Sequence, residues 1–224
     1  LGGYQAMLFD LDDTLVNRDQ AVDNMFLKVL EACYGDVKQP VKNHMLNQFK
    51  EYDKKSFGYD NKINVLESLF DEFPPTYRLS RNDIQDFWNQ HFANCFSINQ
   101  QTLHIVNMIK EHVKVAIITN GSTKRQKAKI RNTNLDSCFD TILISEEVGM
   151  KKPDKRIFDL ALDMLHVPAE SALFVGDDME KDIDGSQQAN MKGIWFNPQQ
   201  LTNDTEIKPY AEIDSLDRLL RYIT

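Results

Sequence analysis

Short apolar runs and helix-spaced apolar positions alternate along most of this chain. Ala6-Met7-Leu8-Phe9, Val113 to Thr119, Thr141 to Ser145, Ala172 to Val175 and Gly193 to Phe196 are runs of strand length. Unbroken apolar character is what a strand covered on both faces requires. From Leu103 onward these runs alternate with helical segments, which predicts a parallel sheet with helices on both faces. The stretch 17–96 lacks such runs and reads as helical. Val22, Phe26, Val29 and Leu30 recur at helix spacing before Gly35, a natural stop. Met45, Phe49 and Tyr52 mark a second helix, and Ile63, Leu66, Leu69 and Phe70 a third. After Pro74-Pro75, Ser80-Arg81-Asn82-Asp83 resembles a capping box and opens a helix carrying Ile84, Phe87, Trp88 and Phe92. The expected division is an α/β core of residues 1–16 and 97–224 and a helical insert of 17–96. Linkers near Leu15-Val16-Asn17-Arg18 and Ser97-Ile98-Asn99 would form a hinge.

With 224 residues, 42% of them hydrophobic, the chain is long enough for a full core plus a modest insertion. A net charge of −8 argues against a nucleic-acid polymer as partner. The basic residues Lys124, Arg125, Lys127 and Lys129 are expected on a solvated helix face. Cys33, Cys95 and Cys138 are far apart and lack metal-ligand spacing, so reduced thiols and an intracellular setting are expected. No apolar run is of membrane-spanning length, and no secretory segment precedes the first strand. A cytoplasmic protein without a membrane partner follows as the expectation.

Phe9-Asp10-Leu11-Asp12-Asp13-Thr14 crowds three carboxylates directly after the first apolar run. Unpaired buried carboxylates are costly and repel one another, so the cluster calls for a divalent cation at the open end of a sheet. Residues two apart on a strand share a face, which would aim Asp10 and Asp12 at one volume while Leu11 packs inward. One carboxylate would then attack phosphorus while the other gives and takes protons. A strand followed by an acidic turn, with Asp12-Asp13 capping the next element, explains the same segment.

Three later fragments decide between these accounts. Thr119-Asn120-Gly121-Ser122 ends the second strand-like run, Lys151-Lys152-Pro153-Asp154 follows, and Gly176-Asp177-Asp178-Met179-Glu180-Lys181-Asp182 comes after Ala172 to Val175. In this order they resemble the four motifs of the haloacid dehalogenase superfamily, from Met7 to about Asn197. The resemblance implies a doubly wound, Rossmann-like α/β core with a helical cap domain between the first and second motifs, closing over the site and selecting the substrate.

It further implies roles. Asp10 matches the nucleophile, and Asp12 the general acid/base, whose backbone carbonyl would also bind the metal. Thr14 either orients the loop or bonds its own turn. Thr119, with the backbone N–H groups of Asn120 and Gly121, would hold phosphate oxygens, although a plain strand-to-helix turn uses the same residues; Ser122 suits a helix cap. Lys152, preceding Pro153, would neutralise nucleophile and phosphoryl group, leaving Lys151 in solvent. Asp177 matches the side-chain metal ligand. Asp178 and Asp182 are either metal supports or helix N-terminal charges. An all-oxygen site favours Mg²⁺.

The implied activity is a Mg²⁺-dependent phosphatase acting on a small phosphorylated metabolite through an aspartyl-phosphate. Asp12 argues against a dehalogenase. A phosphomutase shares every core motif, and a non-catalytic phosphometabolite-binding regulator is the alternative outside enzymes. Lys54-Lys55-Ser56-Phe57-Gly58-Tyr59-Asp60 interrupts two helical patterns. It is either a simple connection or a substrate loop in which Phe57 or Tyr59 packs on the leaving group and Lys54 or Lys55 meets its anionic parts. An aromatic-lined site leans toward a nucleoside monophosphate over a sugar phosphate.

Overall fold

The computed structural model describes residues 3–56 and 61–223. Six strands form one sheet: β1 (Ala6–Phe9), β2 (Lys114–Thr119), β3 (Thr141–Ile144), β4 (Ala172–Gly176), β5 (Lys192–Phe196) and β6 (Ala211–Ile213). The helices are α1 (Arg18–Val29), α2 (Val41–Lys55), α3 (Ile63–Glu72), α4 (Arg81–His91), α5 (Gln100–Lys110), α6 (Thr123–Asn132), α7 (Ser145–Val148), α8 (Lys155–Leu165) and α9 (Gly185–Gln188). The chain separates into two compact units, Leu1–Asn17 with Ser97–Thr224, and Arg18–Phe96.

In the first unit the strand order is β3-β2-β1-β4-β5-β6, with every neighbouring pair parallel. The sheet is doubly wound. It winds outward from β1 to β3, then restarts on the other side of β1, which puts the topological switch point between β1 and β4. All four residues of β1 are buried because both faces are covered. Ala6 and Leu8 join Ala116, Ile118, Phe174 and the apolar face of α8, including Ile157, Phe158 and Leu162, in one core layer. On α5, Ile105, Val106 and Ile109 are buried. The edge strand β6 has no counterpart in the apolar pattern, since it spans three residues, one of them Glu212.

The second unit is all helical. α1 runs on as a π-helical segment, Leu30–Tyr34, and ends at Gly35 with φ 75°, a conformation that favours glycine. Ser80 caps α4 by accepting from the Asp83 backbone N–H. Phe26, Phe49 and Trp88 form a buried aromatic row, with centroids 5.6 and 5.9 Å apart. Beside it the buried Asp53 carboxylate accepts from Arg18 at 2.6 and 3.1 Å and lies 3.4 Å from the buried Lys62 ammonium. Lys62 also donates to the Ser56 carbonyl at 3.0 Å and hydroxyl at 2.9 Å.

Candidate active site

The site grows from the C-terminal ends of β1, β2 and β4. The Asp10 N–H bonds the Val175 carbonyl at 2.9 Å, which carries the pairing one residue past β1. The chain then turns sharply, with the Leu11 carbonyl accepting from Thr14, Leu15 and Val16. Leu11 is fully buried, while Asp13 is exposed and left-handed at φ 61°. This turn separates the neighbouring carboxylates. Asp10, Asp177 and Asp182 each bring a carboxylate oxygen within 4.8 Å of the others. Among the described residues no other group of His, Cys, Asp or Glu converges as closely.

The Asp12 carboxylate is not among those three. It accepts instead from Lys129 at 3.0 and 3.1 Å and from Gln126 at 3.0 Å, both on α6. β1 stops at Phe9, and the turn that follows brings the Asp12 carboxylate to α6. Lys129 is likewise not on a solvated face, since it is 8% exposed.

Lys152 is buried and donates to Asp10 at 2.8 Å and Asp182 at 2.7 Å, while Lys151 is exposed. Its backbone is gripped by the Asn120 side chain, which accepts from the Lys152 N–H and donates to its carbonyl, both at 2.9 Å. Asp182 reaches the sheet because of two features. The segment Met179–Asp184 is a π-helical turn, and Gly176 leaves room where an added Cβ would meet the Asp182 carboxylate at 2.3 Å. Asp178 takes the capping alternative, its carboxylate accepting from the N–H groups of Glu180 and Lys181.

Three carboxylates and one ammonium leave two negative charges uncompensated. Burial, and then the charges of Asp10 and Asp182, push the Asp177 carboxyl up to about 9. Burial and Asp10 push Asp182 up to about 7, although Lys152 works in the opposite direction. Burial alone would lower Lys152, but Asp10 and Asp182 together drive it above the ordinary lysine range. Thr14 donates to Asp177 at 3.2 Å, so its hydroxyl serves the site and not its own turn.

The buried Thr119 hydroxyl accepts from Gln126 at 2.7 Å. The Gly121 N–H donates to the Ser145 hydroxyl at 3.0 Å, and Ser122 caps α6 by accepting from the Arg125 N–H. Lys54 and Lys55 are exposed on the last turn of α2, where Lys54 pairs with Glu51 at 2.8 Å. Phe57 and Tyr59 lie outside the described residues. Gln126 and the buried role of Lys129 escaped the sequence reading. Their spacing of three on one helix face was the available signal.

An acid-rich centre with one buried lysine, at the switch point of a doubly wound parallel sheet, marks a Rossmann-like α/β core with a candidate active site. Residues 7–196 match the model of the haloacid dehalogenase-like hydrolase family. The chain is 39% identical over 216 residues to the pyrimidine 5'-nucleotidase YjjG of Escherichia coli, covering 95% of each chain. It is 30% identical over 230 residues to the glyceraldehyde 3-phosphate phosphatase of Pyrococcus furiosus, covering 98% of this chain and 92% of that one. The crystal structure of YfnB from Bacillus subtilis bound to magnesium superposes over 100% of both chains with a TM-score of 0.76 at 23% identity, which speaks for the fold. The chain therefore belongs to the haloacid dehalogenase-like hydrolase family. It is an enzyme of the hydrolase class, and among the described residues no helix is long and apolar enough to cross a membrane.

Proposed function

We propose that this hydrolase is a Mg²⁺-dependent phosphatase that cleaves a small phosphomonoester through an aspartyl-phosphate on Asp10, with a nucleoside monophosphate as the preferred substrate. The observation that carries this reading is the convergence of Asp10, Asp177, Asp182 and Lys152 at the end of β1. The donor set fits a hard divalent cation, because it is all oxygen and its uncompensated charge equals that of one such ion. Asp10, Asp177 and the backbone carbonyl of Asp12 would hold Mg²⁺, with Asp182 in support, and the ion would offset the negative charge of the phosphoryl group.

Asp10 attacks phosphorus, and the bond to the leaving oxygen breaks as Asp12 gives that oxygen a proton. Asp12 then takes a proton from water, whose oxygen attacks the aspartyl-phosphate and releases inorganic phosphate with Asp10 restored. Lys152 supplies a fixed positive charge beside the nucleophile. The Thr119 hydroxyl and the backbone N–H of Asn120 would provide donors for phosphate oxygens, and the Gly121 N–H would join them by exchanging its bond to the Ser145 hydroxyl. Phe57 and Tyr59, with Lys54 and Lys55, are the proposed contacts for the leaving group, in an insert that serves as a cap.

The name of the Escherichia coli relative, at 39% identity, supports a nucleotide. That of the Pyrococcus furiosus relative, at 30%, supports a small sugar-type phosphate as the second reading. A panel of phosphorylated metabolites, assayed for inorganic phosphate with Mg²⁺, separates them. A kcat/KM about tenfold higher for nucleoside monophosphates than for sugar phosphates is expected. Preference for a sugar phosphate would overturn the nucleotide reading, and transfer to a sugar without phosphate release would mark a phosphomutase.

A further inference from the structure

Gln126 and Lys129 lie three residues apart on α6 and meet at one carboxylate. Lys129 reaches both oxygens of Asp12, and the Gln126 amide nitrogen is shared between Asp12 and Thr119. Gln126 is buried and the Lys129 side chain is 10% exposed, whereas the Asp12 side chain is 26% exposed. Neither placement is incidental. A buried amide and a buried ammonium each lose hydration that must be replaced by well-made hydrogen bonds. Gln126 also occupies the space beside Gly121, where an added Cβ would stand 2.8 Å from its Cγ.

We infer that Gln126 and Lys129 are positioning residues that hold the Asp12 carboxylate in one orientation while leaving its open side free to exchange a proton with the leaving oxygen and with water. This rests on the phosphatase reading above. Three hydrogen bonds on two oxygens fix both the rotamer and the plane of the carboxylate, and Thr119 ties the same amide to the end of β2. A proton donor displaced by about 1 Å loses on the order of a hundredfold in rate. In kcat/KM, which reports formation of the aspartyl-phosphate and not its hydrolysis, that loss falls only on esters whose leaving oxygen needs the proton.

The test compares kcat/KM for an alkyl phosphate with that for 4-nitrophenyl phosphate, whose leaving group departs without protonation. Lys129→Met is expected to lower the alkyl value by about thirtyfold and the aryl value by less than about threefold. Lys129→Arg, which keeps the positive charge and can reach both carboxylate oxygens, should restore the alkyl value to within about fivefold. Gln126→Glu preserves volume but sets a second carboxylate against Asp12, so it should give the same selective loss even if Lys129→Met does not fold.

An unmoved ratio of the two esters in Lys129→Met and Gln126→Glu overturns the inference, provided Asp12→Asn shifts that ratio in parallel. If Asp12→Asn leaves the ratio unmoved as well, the proton-transfer role of Asp12 falls and the inference with it. Absence of turnover of both esters by the parent protein removes the phosphatase reading itself.

Discussion

The two units each bury charge, in opposite ways. In the helical unit, one carboxylate, Asp53, sits between two cations, Arg18 and Lys62, with bonds of 2.6 to 3.4 Å. In the α/β unit, three carboxylates converge beside one ammonium, Lys152, which bonds two of them, and burial together with their mutual charge raises the protonation ranges of Asp177 and Asp182. In the first arrangement the carboxylate is outnumbered by its cations and is held by direct bonds from both. The second is under-compensated and invites a cation and a reacting group, which is how a site differs from a staple.

Three experiments sharpen or break this contrast. The largest effect is expected for Asp10→Asn, which should reduce turnover by about a thousandfold or more while the fold survives, because the amide is nearly isosteric but cannot form the acyl phosphate. Steady-state phosphate release with a circular-dichroism melt checks both halves. Retention of activity within about tenfold would remove Asp10 as nucleophile.

Asp53→Leu should act on stability first. It leaves Arg18 and Lys62 without their shared carboxylate inside the helical unit, and breaking a buried pair in this way costs about 3 kcal/mol. A Tm lowered by several degrees, equally with and without chelator, is the expected melt. A chelator-dependent change would mean that Asp53 belongs to the metal chemistry and that the contrast is misdrawn.

The smallest effect concerns pH. The folded protonation point of Asp177, about 9, lies above its ordinary 3.8, so the fold favours the protonated form. Its contribution to stability is therefore complete below about 4 and is lost as pH rises toward 9. Chelator-treated protein should lose on the order of 2 kcal/mol between pH 5 and 9, Mg²⁺ should return it, and Asp177→Asn should flatten the slope. A metal-free melt equally steep in Asp177→Asn would place the strain elsewhere.

Much of this was legible along the chain. The strands β1 to β5 stand where unbroken apolar runs predict them, because a strand buried on both faces has no polar position to blur the signal. Lys152 could be told from Lys151 by its place before Pro153, and it is the buried one of the two. Asp182 was separable from Asp178 only in three dimensions. A π-helical turn swings Asp182 onto Gly176 and leaves Asp178 as the cap, and no residue pattern announces a π turn. β6 is too short and too polar to register.

The sequence by itself determined the order of elements and the acidic and basic residues that a strand end would present, since both follow from local periodicity and from neighbours in the chain. The resemblance to a family paired Asp10 with Lys152, but the other meetings of charge were decided by the tertiary structure. Asp12 turns to Lys129, 117 residues away, and Asp10 meets Lys152 across 142. Such pairings depend on how far a strand runs before it turns and which helix face packs beside it. Periodicity supplies the faces, and packing chooses the partners.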